Sequence, residues 1–305
     1  MRVFVTGASG HIGSAVVPEL LSAGHEVVGL ARSEASATTL KTLGAHPRLG
    51  DLDDLDGLRE AASAADGVIH LGFKHEAMLA GDYTGAIEAD LAALRAFGEA
   101  LDGTGKPFVG TTGTGLSSIA PGHLGTEDDA VPPGPGFQAR AESEQAAIDL
   151  AERGIRSSVI RLPVTVHSAL DHNGFLTIVV ATARAAGVSG YLGEGANRWP
   201  AVHTLDAARM YRLALEQAPA GTRLHAVGDE GVPFRLIAET VGRRLGVPAA
   251  AIPSDKAAEH FGFLAPVVGI DNPTSSARTQ ELLGWRPAHP GLIDDLGLDH
   301  YFARG

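Results

Sequence analysis

The chain has 305 residues, of which 44% are hydrophobic, and it carries a formal net charge of −12 at pH 7. This length allows one large domain or a domain with a smaller lobe, and the acidic balance argues against a nucleic-acid surface, which needs clustered lysines and arginines. The sequence contains no cysteine, which excludes disulfides, thiolate metal sites and a cysteine nucleophile.

Other features that the sequence lacks narrow the classes of partner. No charged-then-apolar signal region precedes the first predicted strand, and no apolar run is long enough to span a bilayer. The absence of cysteine suits a reducing compartment. Histidines do not occur at a metal-ligand spacing such as His-x-x-x-His, so no metal is implied. We therefore expect a cytoplasmic protein with a small-molecule substrate.

The first thirteen residues predict a strand, a glycine-rich turn and a helix. Residues 3–5 are apolar, Gly7, Gly10 and Gly13 follow as Thr-Gly-x-x-Gly-x-x-Gly, and residues 12–21 continue at helical spacing. Such a turn brings backbone N–H groups and the positive end of the helix dipole close to a pyrophosphate. The start of the chain therefore predicts a dinucleotide site.

Strands and helices alternate through the rest of the first half. Further strands are predicted at 26–30, just before Gly50, at 67–71, from Pro107 and at 156–161, and helices after the loop 32–36 and at 55–65, 83–101 and 138–153. This alternation predicts an α/β fold with a doubly wound parallel sheet. Ligands bind such sheets at the carboxyl ends of the strands, where the strand order reverses.

Two stretches interrupt the alternation. Residues 119–136 are rich in Pro and Gly with an acidic cluster at 127–129, which indicates either a loop over the site or a surface excursion. Beyond about Val166 the spacing is irregular, apart from a helix near 175–186. We predict a dinucleotide-binding domain over 1–166, with 201–228 returning to it, and a smaller C-terminal substrate lobe over 167–305.

Several of these motifs together resemble the extended short-chain dehydrogenases/reductases. They are the glycine turn and the segments 50–52, 68–72, 90–99, 161–163 and 202–206. That family includes sugar-nucleotide epimerases and dehydratases and 3β-hydroxysteroid dehydrogenases. The resemblance implies a Rossmann domain and, in members that pair, a homodimer formed through the helices that start near 83 and 138.

The resemblance also implies where a nicotinamide cofactor lies. Asp51 and Leu52 would contact the adenine, Leu71, Gly72 and Phe73 the ribose and nicotinamide side, and Pro163 the carboxamide. In the turn itself, the cofactor-binding residues are Gly7, Ser9, Gly10, His11, Ile12 and Gly13.

The end of the second strand distinguishes the two nicotinamide cofactors. An acidic residue there, about 20 residues past the glycines, binds the ribose 2′-hydroxyl of NAD. Ala31 occupies that position, and Arg32 and Ser33 follow. Because guanidinium and hydroxyl groups favour a 2′-phosphate, we predict NADP(H) over NAD(H). The alternative is that Arg32 is only a solvated loop residue.

The catalytic residues of the family are not found at their expected place. The family uses Tyr-x-x-x-Lys, in which the tyrosine exchanges a proton with the substrate oxygen. The spacing to Arg161 puts Arg140 at the lysine position and the tyrosine position among residues 135–137, and no tyrosine lies between Tyr83 and Tyr191. Arg140 then holds a ribose or phosphate, or it is an exposed residue paired with Glu144.

Other residues must then serve the substrate. Thr111 and Thr112 lie where the family has a serine, so either hydroxyl can bond a carbonyl oxygen, although threonines are also common in turns. Histidine suits proton donation because its pKa lies near neutrality. His172 is the predicted donor, ahead of His203 and His123, and for each of the three the alternative is a histidine that only packs or lies in a loop. The predicted substrate contacts are Phe73, Tyr191, Asn197, Trp199 and His203.

Three functions remain open from the sequence. The first is an NADP(H)-dependent oxidoreductase that reduces a small carbonyl or imine, with His172, Thr112 or water as proton donor and Arg140 in the site. The second is a non-catalytic NADP(H)-binding redox sensor. The third is a sugar-nucleotide epimerase or dehydratase, which normally uses the same Tyr and Lys with tightly bound NAD.

Overall fold

A computed structural model describes residues 1–114, 122–130 and 139–303. Its strands are β1 (Arg2–Thr6), β2 (Glu26–Ala31), β3 (His46–Leu49), β4 (Gly67–His70), β5 (Pro107–Gly113), β6 (Arg156–Leu162), β7 (Thr165–His167), β8 (Ser189–Leu192), β9 (Arg198–His203), β10 (Thr222–His225), β11 (Asp229–Pro233) and β12 (Ala249–Ile252). Its helices are α1 (Gly13–Ser22), α2 (Glu34–Leu43), α3 (Leu55–Ala64), α4 (His75–Leu79), α5 (Tyr83–Leu101), α6 (Arg140–Asp149), α7 (Phe175–Ala186), α8 (Thr204–Gln217), α9 (Phe234–Leu245), α10 (Ala257–Phe261), α11 (Ala265–Val268), α12 (Ala277–Leu283) and α13 (Leu292–Leu296).

Seven parallel strands form the central sheet, in the order β10-β6-β5-β4-β1-β2-β3. The order reverses between β1 and β4, where Val5 lies opposite Gly29 of β2 on one side and Ile69 of β4 on the other. The carboxyl ends of β1 and β4 therefore flank the position at which doubly wound sheets bind ligands. The predicted α/β fold with a doubly wound, Rossmann-type sheet is confirmed.

The two faces of this sheet are covered by different helices. Val3 and Val5 face a core shared with α1 and α8, whereas Phe4 faces a core shared with α3 and α5. This alternation follows from the period of two in a strand, because both faces of β1 are buried. The first strand is therefore apolar at every central position.

The observed elements agree closely with several predicted bounds. The helices predicted at 83–101 and 175–186 are α5 and α7. The helix predicted at 138–153 is α6 followed by a 3₁₀ turn at Leu150–Arg153, and residue 138 lies outside the described part. Late in the chain, β10 pairs with β6 in the central sheet and α8 packs on α1.

A second hydrophobic core lies outside the central sheet. It is built from α7, α9 and the C-terminal helices around two small sheets, β11-β9-β7 and β12-β8. Trp199 is at its centre, fully buried against Phe234 with ring centroids 4.7 Å apart. In the described residues, the helices are all too short or too polar to traverse a bilayer.

Candidate functional site

The glycine-rich turn is closed tightly onto the end of β4. Gly7 has φ +65°, and a Cβ there would lie 2.9 Å from the backbone N of Gly72. A Cβ on Gly13 would lie 2.6 Å from the carbonyl carbon of Ala8. Only glycine allows these approaches, which leave the N-terminus of α1 lined by backbone. This geometry suits the pyrophosphate of a dinucleotide.

A buried hydrogen-bonded chain supports this turn from below. The amide of Gly72 donates to Thr6 Oγ1 (3.0 Å), Thr6 Oγ1 lies 2.7 Å from His70 Nδ1, and His70 Nε2 lies 3.0 Å from Asp90 Oδ1. With Thr6 donating to Nδ1, His70 carries its proton on Nε2 and donates to Asp90. Burial would raise the pKa of Asp90, but the hydrogen bond from His70 and the nearby charge of Arg140 hold it below its usual range.

The series of hydrogen bonds from Gly72 to Asp90 was not predicted from the sequence. His70 ends a strand, and Asp90 lies mid-helix with nothing in its own neighbourhood to indicate a partner. Two signals were available: Asp90 is a charged residue on the buried face of α5, and both residues fall in the segments 68–72 and 90–99 that carry the family resemblance.

Arg140 lies against the same edge of the sheet. Its guanidinium carbon is 4.0 Å from the centroid of the Phe73 ring, and Nη2 donates to the carbonyl oxygen of Thr111 (3.0 Å). Nε is buried and has no hydrogen-bond partner among the residues that the structure describes. Burial lowers the pKa of Arg140, and the nearby charge of Asp90 opposes that shift. A cation held over an aromatic ring can hold an oxygen or phosphate of a ligand.

The alternative of an exposed Arg140–Glu144 pair is wrong. Glu144 is 2% exposed and accepts from Arg161 through both carboxylate oxygens (2.9 and 2.6 Å) and from Arg223 (2.8 Å). Arg140 and Glu144 thus lie one turn apart on α6, but they bond Thr111 and Thr112 of β5 and not each other. The tyrosine position, Pro135, Gly136 and Phe137, lies outside the described residues.

The two threonines of β5 are already engaged within the protein. Thr111 Oγ1 donates to the carbonyl of His70 (2.8 Å) and lies 2.9 Å from the hydroxyl of Tyr211. Thr112 Oγ1 donates its proton to Glu144 (2.9 Å). The structure thus corrects the assignment of Thr112 as a proton donor, because its only proton is held by a carboxylate. Beside Thr112, a cavity of about 10 Å³ has room for one water.

The predicted contacts of the adenosine half of the cofactor follow the carboxyl ends of β2 and β3. Arg32 follows β2 with its side chain 65% exposed, and its Nη2 is 3.3 Å from Glu76 Oε1. Ser33 caps α2 by accepting from the amide of Ser36. Asp51 Oδ1 accepts from the amides of residues 53 and 54. Leu52 and Pro163 are buried, so each presents little surface to a ligand.

The candidate histidines differ in how far they are engaged. His172 is exposed and makes no hydrogen bond with the described residues. His203 accepts from the amide of Leu205 (3.3 Å) and stacks on His289, whereas His123 pairs with Asp129 (3.0 Å) on the loop. Of these three histidines, His172 is the one whose ring has no hydrogen bond or ring contact with the described residues.

The predicted substrate contacts are less favourable. Trp199 is fully buried in the second hydrophobic core, so its assignment as a ligand contact is corrected. Asn197 Nδ2 donates to the carbonyls of Val268 and Ile270 and holds two loops together. The guanidinium carbon of Arg235 lies over the ring of Tyr191, 5.5 Å from the ring centroid. In the described ranges no cluster of His, Asp and Glu is arranged to hold a metal ion.

Comparison with known proteins places this geometry in a family. The NAD dependent epimerase/dehydratase family model matches residues 3–227. The chain is 46% identical over 302 residues to an uncharacterized protein of Schizosaccharomyces pombe, covering 99% of this chain and 100% of that protein. It is 26% identical over 283 residues to a 4-hydroxy-2-methyl-3-oxo-4-farnesyl-3,4-dihydroquinoline-1-oxide ketoreductase of Stigmatella aurantiaca, covering 86% and 80%.

A solved structure with the same fold agrees with this assignment. The dTDP-glucose 4,6-dehydratase of Streptomyces venezuelae, solved with NAD bound, has a TM-score of 0.77 and 21% identity, with 97% of this chain and 95% of that chain covered. At this identity the likeness shows the fold alone. Because the family model covers most of the sequence, the chain belongs to the NAD-dependent epimerase/dehydratase family.

Proposed function

We propose that the protein is an NADP(H)-dependent reductase of a small carbonyl or imine substrate. The observation that carries the proposal is that the glycine-rich turn and Arg140 contact two adjacent residues, Gly72 and Phe73. Gly7 packs on Gly72, and Arg140 stacks on the next residue, Phe73. The predicted phosphate-binding turn and the guanidinium of Arg140 thus lie near each other at one edge of the sheet. The ketoreductase name of one relative supports the same reaction class.

The residues divide the work of such a reaction. The nicotinamide supplies a hydride to the substrate carbon when it is bound. Arg140 holds a ribose hydroxyl or the substrate oxygen, since its guanidinium stays charged and cannot donate a proton at neutral pH. His172 donates the proton to the carbonyl oxygen or the imine nitrogen of the substrate. Bound substrate and cofactor replace the solvent that now surrounds its ring.

Replacing His172 by Gln tests this role. We expect NADPH affinity to stay unchanged and kcat to fall by about 10²–10⁴, because a positioned general acid contributes about that factor. Loss of NADPH absorbance at 340 nm with a panel of aldehydes, ketones and imines provides the measurement. The matched control is His46→Gln, on exposed β3, which should react like the wild type. An unchanged kcat in His172→Gln would exclude His172 as the donor.

Replacing Arg32 by Ala tests the cofactor preference. We expect Kd for NADPH to rise about tenfold and Kd for NADH to stay constant, since one charge-assisted contact to the 2′-phosphate is lost. Titration with each nucleotide, followed by energy transfer from Trp199 and Trp285, measures both constants. Glu76→Gln removes the neighbouring carboxylate and should tighten NADPH binding. A wild type that binds both nucleotides equally, and a variant that does the same, would contradict the preference.

A second candidate is a non-catalytic NADP(H)-binding protein. It is favoured by the engagement of Thr112 with Glu144 and by the absence of Tyr-x-x-x-Lys from the sequence. NADPH binding without turnover of any substrate in the panel would support this candidate over the reductase. We further propose a cytoplasmic homodimer that pairs through α5 and α6, which sedimentation at micromolar concentration tests.

A further inference from the structure

His11 joins the glycine-rich turn to the smaller lobe. It belongs to the turn by sequence, yet its Nε2 lies 2.9 Å from Thr204 Oγ1 at the start of α8. Its Nδ1 lies 3.9 Å from Asp171 Oδ1, in the segment that leads into α7. The ring is therefore placed between the predicted pyrophosphate site and two elements that border the lobe.

The hydrogen bonds around Thr204 assign the proton on this ring. Thr204 Oγ1 donates to the carbonyl of His167 (3.1 Å) and accepts from Ser168 Oγ (2.8 Å). With its own proton used, Thr204 can only accept from His11, so His11 carries its proton on Nε2. Nδ1 is then bare and faces Asp171, at a distance too long for a hydrogen bond.

Asp171 is held in place from the other side. It is 5% exposed, its Oδ1 accepts from the amide of Gly174 (2.6 Å) at the start of α7, and its Oδ2 lies 3.3 Å from the hydroxyl of Tyr301. That hydroxyl donates its proton to Asp171 and accepts a hydrogen bond from the amide of Ser168 (3.1 Å). A proton on Nδ1 of His11 would therefore add a charge-assisted bond to an already fixed carboxylate.

Burial and two neighbouring histidines oppose that proton in the free protein. Burial is the largest effect and lowers the pKa of His11, Asp171 raises it, and His172 and His167 lower it again. A pyrophosphate bound to the turn brings two negative charges to the backbone on either side of His11. Those charges favour the imidazolium form and raise the pKa of His11 above that in the free protein.

We propose that nucleotide binding at the glycine-rich turn is coupled to uptake of a proton by His11, which then binds Asp171 and fixes the entrance to α7. His11 is a positioning residue that couples cofactor binding to the position of α7 in the substrate lobe. The inference rests on the proposed binding of NADP(H), but it does not depend on the reaction or the substrate.

Calorimetric titration with NADPH at pH 7.5, in buffers of different ionisation enthalpy, counts the protons taken up. We expect wild type to take up a substantial fraction of one proton more than His11→Gln, whose amide keeps the bond to Thr204. The 2′-phosphate contributes equally to both proteins, so the difference isolates His11. Hydrogen exchange of residues 171–178 should slow on NADPH binding in wild type and less in the variant.

Two further variants make the outcome specific. His172→Gln removes the neighbouring ring and should leave proton uptake at least as large, whereas Asp171→Asn should reduce it. Equal uptake in wild type and His11→Gln, with NADPH bound to both, would overturn the coupling and leave the reductase proposal standing. A wild type that binds no NADPH would overturn both.

Discussion

Replacing Gly13 by Ala is expected to weaken NADPH binding by about 100-fold or more. The added Cβ would overlap the Gly7 carbonyl oxygen and lie 2.6 Å from the carbonyl carbon of Ala8. Both are backbone atoms of the turn, so neither can swing aside as a side chain would. The turn must open, and opening moves the amides that would meet the pyrophosphate. A 100-fold change is about 2.8 kcal/mol of binding free energy.

A matched glycine separates this local effect from a general cost of alanine. Gly228 also has φ outside the left-handed region, and its added Cβ would lie 3.5 Å from Pro287 Cβ, an ordinary contact. Gly228→Ala should bind NADPH like the wild type. Urea denaturation of both variants shows whether they are folded. If folded Gly13→Ala binds NADPH with wild-type affinity, the turn is not the nucleotide site.

Local sequence signals predicted the elements and the turn because their causes are local. The apolar spacing of α5 and the glycines at 7, 10 and 13 each specify conformation within a few residues. The end of β10 was harder to place, since pairing with β6 depends on contacts across more than 60 residues. Sequence therefore predicted the central sheet and the tight glycine-rich turn well.

Side-chain partners across the fold could not be predicted in the same way. Trp199 and Arg198 are neighbours in β9, so one faces the core and the other does not, and the spacing alone leaves both assignments open. In the structure Arg198 pairs with Asp271, and Trp199 fills the core. Thr112 likewise faces Glu144 because α6 packs on β5, a contact that no motif encodes. The substrate side of the site was therefore the least predictable part.

Replacing Glu144 by Gln is expected to lower the free energy of unfolding by about 3–5 kcal/mol, because it leaves the buried charge of Arg161 without its carboxylate. Arg161 is fully buried and Glu144 is 2% exposed. Arg223 and Thr112 also lose the charged acceptor. Urea denaturation at pH 7 measures the change. Since Glu144 lies one turn after Arg140, we also expect weaker NADPH binding in the folded variant.

The pH dependence of this difference identifies its electrostatic origin. Burial would raise the pKa of Glu144, but bonds from Arg161 and Arg223 hold it below its usual range. A depressed pKa stabilises the folded protein above the unfolded value, about 4.3, and that stabilisation is lost as the pH falls toward the folded value. The gap between wild type and Glu144→Gln should therefore shrink below about pH 4.3. Glu239→Gln, which breaks the exposed pair with Arg235, should change stability by less than about 1 kcal/mol. Equal losses in the two variants, or a gap that does not change with pH, would show that the buried carboxylate contributes nothing through its charge.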